Sequence, residues 1–199
     1  MNTTKRKSIA IIGEGETEWF YFDSLRTYRR YNLKIAPDFP RHSDIEHMKV
    51  LADKYIDEGF DYVICLVDMD RIFSIPAEQK KYNKLKSKKG VTYLETNPCT
   101  EFWFLLHFLP HLSKKRYHSQ DDLIRELHKY MPGYDKTKHY FKRVNLYQYL
   151  CEHGDINKAM INADKLAEYS RKNPDDRIAY SEVQKLIRLI DKLQAGNTL

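Results

Sequence analysis

The chain is poor in cysteine. Cys65, Cys99 and Cys151 are the only three in 199 residues. They are far apart, odd in number and form no C-x-x-C pair, which argues against a disulfide framework or a zinc site and suits a reducing, cytoplasmic setting. Glycine and proline number only seven each, and there is no repeat or low-complexity tract. The longest apolar stretch, around Phe102 to Pro110, is far short of the roughly 20 residues that span a bilayer, so no membrane partner is expected. Met1 to Ser8 is polar and basic, without the apolar segment of a secretory signal. No G-K-[ST] loop and no G-x-G-x-x-G is present, so neither nucleotide-binding fingerprint applies. Neither sign of charge dominates: 34 Lys and Arg stand against 28 Asp and Glu, for a net charge of +6. That permits a polyanionic partner without requiring one.

What the chain does have is five carboxylates in two short clusters, each after an apolar run. Ile9-Ala10-Ile11-Ile12 leads into Gly13-Glu14-Gly15-Glu16-Thr17-Glu18. Tyr62-Val63-Ile64-Cys65-Leu66-Val67 leads into Asp68-Met69-Asp70. Both runs read as buried strands of an α/β sheet, and ligands in such sheets sit at the carboxyl ends of strands. Acidic oxygens gathered at two neighbouring strand ends repel unless a cation fills the gap, and hard oxygen donors suit Mg²⁺ or Mn²⁺.

The spacing predicts a strand over 8–13 and a helix over 17–30 capped by Thr17, with Trp19, Phe22, Leu25 and Tyr28 inward. A weaker strand follows over 34–39, then a helix from Ser43 to Glu58 that buries Ile45, Met48, Leu51, Ala52 and Tyr55 and ends at Gly59. After the strand over 62–67 comes a lysine-rich helix over 78–89, a strand over 91–95, a turn at Asn97-Pro98 and a short buried helix to Leu109. The first 110 residues thus alternate β and α, which implies a parallel sheet. The remainder reads as helical: 120–130, 141–152, 156–171 and 181–193.

Each constellation carries an ordinary and a functional reading. Asp68 and Asp70, two apart at a strand end, point to one side and could share a metal, or lie in a solvated loop. Acids at a helix start complement its dipole, which accounts for one of Glu14, Glu16 and Glu18 more easily than for all three. Glu101 heads an otherwise apolar helix, either as a dipole partner or as a further contributor to a metal site. His107 reads as a packed histidine. The lysines over 80–89 read as a solvated face. Lys114, Lys115 and Arg116 form a second basic cluster. Lys136, Lys138, Lys142 and Arg143 form a third, interleaved with Tyr134, His139, Tyr140 and Phe141, as phosphate contacts and base stacking require.

Glu14-Gly15-x-x-Glu18 followed by Asp68-x-Asp70 on alternating β/α elements resembles the Toprim domain of topoisomerases, bacterial primases and overcoming-lysogenization-defect nucleases. With Thr96-Asn97-Pro98-x-x-Glu101-x-Trp103, a helical tail, and Asn173-Pro174 to Val183-x-Lys185-Leu186, the chain resembles more closely the RloB-like family, associated with restriction-modification and abortive-infection loci. The resemblance implies a Toprim-like catalytic core over 1–110 with a helical extension over 111–199 packed on it. It implies a Mg²⁺- or Mn²⁺-dependent nuclease acting as an anti-phage effector on RNA (tRNA included) or DNA, beside a separate ATPase; homo-oligomerisation is left open. On this reading Asp68 and Asp70 hold the principal metal, Glu14 is a ligand or general base, and Glu18 and Glu101 complete a second metal site or its surroundings. By analogy with the lysogenization-defect nucleases, Lys136 stabilises the charged transition state, with Lys138 and Lys142 as rivals. The basic clusters, Lys114, Lys115, Arg116, Lys138, Lys142 and Arg143, gather phosphates. The alternative is a non-catalytic, Mg²⁺-binding regulatory module for nucleic acid or nucleotide.

Overall fold

The computed structural model describes residues 7–30, 34–35 and 44–196. Among them, five strands and ten α-helices run in the order β1 (Ile9–Ile12), α1 (Glu16–Arg29), β2 (Lys34–Ile35), α2 (Ile45–Asp57), β3 (Tyr62–Asp68), α3 (Met69–Ser74), α4 (Pro76–Lys86) and β4 (Val91–Asn97). Then follow α5 (Glu101–Leu106), α6 (Gln120–Leu127), α7 (Lys138–Arg143), α8 (Leu146–His153), α9 (Ile156–Lys172), β5 (Tyr180–Ser181) and α10 (Val183–Gly196).

The expected parallel α/β sheet is present. The strands are ordered β2-β1-β3-β4-β5; the first four are mutually parallel and β5 pairs antiparallel with β4. The apolar runs explain why β1 and β3 are central: all four residues of β1 and the five middle residues of β3 are buried, as strands covered on both faces must be. From β1 the chain steps to β2 on one side, then returns to β3 and β4 on the other. The order therefore reverses between β1 and β3, where open α/β sheets bind ligands at their carboxyl ends.

Several elements differ from the sequence reading, each for a local reason. The cap of α1 is Gly15, not Thr17, because Glu18 reaches back to the Gly15 N–H at 2.8 Å. The buried face of that helix is Tyr21, Phe22 and Leu25, while Trp19 is half-buried and Tyr28 is exposed. Asp44 caps α2 by accepting from His47 N; Ser43 and positions 36–39 of the expected second strand lie outside the described residues. The polar stretch after Asp70 is helical (α3), so Asp68 ends the strand while Asp70 sits in the first helical turn. Two helices replace the one expected over 141–152, because Asn145 leaves the helix to cap α8 through Gln148 N. Ser181 belongs to β5, so the segment beyond residue 110 contributes a strand to the sheet.

That strand is fastened by Asn97, whose Nδ2 donates to the carbonyls of Arg177 and Ile178 at 3.2 and 2.7 Å. The Asn97–Pro98 peptide is cis. Helix α5 is buried along its whole length, and Trp103 is 0% exposed with Nε1 donating to Tyr21 OH at 2.7 Å. This joins α5, which begins at Glu101, to α1, which begins at the first acidic turn. Trp103→Ala should lower unfolding stability by about 3–5 kcal/mol, measured by urea denaturation; a loss under about 1 kcal/mol would mean that the junction is not a packing centre.

Candidate metal and phosphoryl-transfer site

The two acidic turns meet at the strand-order reversal. Glu14 follows β1 and its Oε1 accepts from the backbone N–H of Asp68 at 2.9 Å, across the β1–β3 gap. Glu18 is held by the turn itself. A Cβ on Gly13 would lie 2.3 Å from Glu18 Cβ, so glycine at 13 is what lets the first turn of α1 close against β1. Asp68 pairs in register with Thr96 of β4. Its Oδ1 accepts from Thr96 Oγ1 at 2.8 Å, Thr100 N at 2.9 Å and Thr100 Oγ1 at 3.3 Å. Asp70 Oδ1 accepts from Arg71 N at 2.6 Å and Oδ2 from Gln120 Nε2 at 2.8 Å.

Glu101, at the start of α5, is 0% exposed. Its Oε1 accepts from Tyr134 OH at 2.7 Å and Thr17 Oγ1 at 3.2 Å, and lies 2.8 Å from Lys136 Nζ. Its Oε2 is buried with no hydrogen-bond partner among the described residues. Lys136 also reaches Gln120 Oε1 at 3.4 Å, so Gln120 links Asp70 to Lys136. Glu16 pairs with Lys138 at 3.1 Å.

Sequence reasoning missed Gln120, Thr96, Thr100 and Arg71, and read Tyr134 as a stacking residue where its hydroxyl donates to Glu101. These are neutral or isolated residues whose relevance comes from tertiary placement. Thr96 and Thr100 were within reach of the sequence, since both lie within five residues before Glu101. The second basic cluster does not touch the five acids: Lys115 pairs with Glu126, Arg116 with Asp176 at 3.7 Å, and Lys114 lies 3.7 Å from the Tyr169 ring centre. His107 is a packed histidine, bonded through Nδ1 to Trp103 O at 2.9 Å and lowered to about 4 by burial.

The electrostatics follow from burying like charges together. Burial raises Glu14 to about 8, with Glu18 and Asp70 adding to the effect. Burial, then Glu18, Glu14 and Glu101, push Asp68 well above the carboxylate range. Glu18 is raised by burial and by Glu101. Burial also pushes Glu101 upward, but Lys136 outweighs it and holds that carboxyl below its ordinary value. Lys136 is raised in turn: burial opposes its charge, and Glu101 overcomes that.

Among the described residues, no three His, Cys, Asp or Glu side chains converge as an ion's ligand set; each acid is turned onto a protein donor. The chemistry of the donor set nevertheless fits a hard divalent cation. All candidate donors are oxygens, three are driven toward protonation by burial and, second, by neighbouring carboxylates, and Glu101 Oε2 lacks a donor among the described residues. A void of about 10 Å³, lined by Glu14 and Asp68 with Asp44, Arg71 and Glu78, is near the size of one water molecule. A larger cleft of about 300 Å³ around Tyr82, Glu95 and Tyr180 includes none of the five acids.

The model of the RloB-like protein family matches residues 9–190. The chain belongs to the RloB-like family. The match spans both acidic turns, Glu101 and most of the helical tail. No curated protein and no solved structure matches the chain. Among the described residues, no helix of this RloB-like chain is long and apolar enough to cross a membrane.

The raised acids make metal-free stability depend on pH. A carboxyl whose folded pKa exceeds its unfolded value keeps its proton longer in the native state, so stability falls as pH rises between the two values. His107, lowered to about 4, opposes this trend only below its unfolded value of about 6.5. In EDTA, the melting temperature should therefore fall between pH 6.5 and 8, Glu14 being raised to about 8. Mn²⁺ should reverse the fall, and Asp68→Asn should flatten it. A pH-independent melting temperature would contradict the buried-acid account.

Proposed function

We propose that this RloB-like protein is a Toprim-type, divalent-metal-dependent nuclease that hydrolyses nucleic-acid phosphodiesters as an anti-phage effector, working beside a separate ATPase. The observation that carries the reading is the Glu14–Asp68 contact at the β1–β3 reversal, with Asp70, Glu18 and Glu101 around it. So much mutual repulsion is a poor structural device and a good cation seat.

Asp68, Asp70 and Glu14 would hold the metal, and Glu18 and Glu101 would hold a second one or shape its surroundings. A bound Mg²⁺ or Mn²⁺ supplies Lewis acidity toward a phosphoryl oxygen and lowers the pKa of bound water. The chain's own groups do the rest. Thr96 and Thr100 fix one oxygen of Asp68 and so aim the other. Glu14, against the Asp68 backbone, would act as a metal ligand or, freed of its proton once the metal is bound, as the base that takes a proton from water. Lys136 keeps its charge beside Glu101 and offers it to a developing phosphoryl anion.

One observation favours a non-catalytic regulatory module: each of these acids has at least one oxygen turned onto a protein donor, and Lys136 neutralises Glu101. A cleavage assay on tRNA, single-stranded RNA, plasmid and linear DNA with Mg²⁺ or Mn²⁺, with and without the neighbouring ATPase, separates the two. Asp68 fastens β4 through Thr96 and Thr100, so Asp68→Asn is a cleaner probe than Asp68→Ala, which would leave those donors unpaired. Asp68→Asn should reduce cleavage to background while keeping the circular dichroism of the wild type. Unchanged cleavage by this variant would overturn the metal assignment. Metal binding without turnover under any condition would favour the module.

A further inference from the structure

The segment from Gly133 to Val144 has two sides. Tyr134, Lys136 and Lys138 turn inward, onto Glu101, Gln120 and Glu16. Between and beyond them, Gly133, Asp135, Thr137, His139, Tyr140 and Arg143 line a cleft of about 370 Å³, closed by Val144. That is within the range of about 300–1,000 Å³ for small-ligand sites. One stretch of chain thus reaches the acids with alternate residues and forms the cleft with the others.

The cleft's lining is suited to a flat, uncharged ring beside a phosphate. Tyr140 is half-buried and braced edge-on against Tyr134, with ring centres 5.4 Å apart. Arg143 is exposed and, among the described residues, its one hydrogen-bond contact is His139 Nε2 at 3.5 Å. Neither Arg143 nor Lys142 makes an ion pair among the described residues, unlike Lys115, Arg116, Lys136 and Lys138. Asp135 Oδ2 accepts from Thr137 Oγ1 at 3.1 Å, and its Oδ1 has no hydrogen-bond partner among the described residues. Stacking surface, guanidinium plane and a carboxylate acceptor together match an unstacked base with an exocyclic amine. A base inside a duplex presents no free face to such a cleft.

We infer that this cleft seats an unpaired nucleobase next to the acid site, so that the substrate is single-stranded nucleic acid or an unpaired loop. The inference rests on the nuclease reading and adds the strandedness of the substrate.

The test is fluorescence anisotropy with the full chain in EDTA, which prevents turnover. The probes are a labelled single strand of mixed sequence and the same sequence as a blunt duplex, each as RNA and as DNA. The single strand should bind at least about tenfold tighter than the duplex. Arg143→Ala and Tyr140→Leu should each weaken single-strand binding about fivefold or more and duplex binding distinctly less. Arg143 is a surface residue, so its variant reads the cleft even where Tyr140→Leu disturbs packing. Equal binding of both probes, or variants that weaken both alike or neither, would overturn the cleft assignment while leaving the nuclease reading standing. Binding of no probe would overturn both.

Discussion

Everything at the carboxyl edge of this sheet depends on one constraint, the burial of several carboxylates within reach of one another. Glu101 has no exposed surface, and Glu18 has very little. Burial and mutual repulsion raise Glu14, Glu18 and Asp68. The fold answers with backbone N–H groups at Gly15, Asp68, Arg71 and Thr100, and with cations, chiefly Lys136 against Glu101 and Arg71 beside Glu14. Removing a charge from water is costly unless partners replace the solvent. The arrangement persists because β1, β3 and β4 are apolar and rigid, and their register sets Asp68 beside Thr96.

Lys136 is the point where the two halves of the sequence meet chemically. It comes from the segment after α6, yet it balances an acid that begins α5. Its neighbours in sequence extend the same arrangement: Tyr134 donates to Glu101, and Lys138 pairs with Glu16. The helical part of the chain therefore completes the electrostatics of the sheet edge, and it also adds β5 beyond β4. Helix α7 touches the acidic turn through Lys138 and Glu16, and among the described residues Lys142 and Arg143 on the same helix make no ion pair, whereas Lys115 and Arg116 pair with Glu126 and Asp176 and Lys114 lies over the Tyr169 ring.

The parallel sheet and the positions of Glu14, Asp68 and Glu101 were legible in the sequence because strand burial and strand-end acids are local signals. Lys136 was legible only through the family resemblance, and Gln120 not at all. A glutamine opening a helix looks like any other solvated residue until tertiary packing brings it to Asp70. The identical direction expected for Asp68 and Asp70 failed because Met69 begins a helix, which changes the side-chain period from two to 3.6. The buried face of α1 was displaced by one residue at Tyr21, since Trp103 offers its indole N–H there and outweighs simple periodicity.

The central claim is that these acids are a cation seat. Calorimetric titration of Mn²⁺ at pH 7 in two buffers of different ionisation enthalpy tests it most directly, because ligands that hold protons must release them on binding. The account predicts binding with release of about one proton or more per site, and loss of both in Asp68→Asn. No Mn²⁺ binding, or binding that Asp68→Asn leaves unchanged, would contradict it.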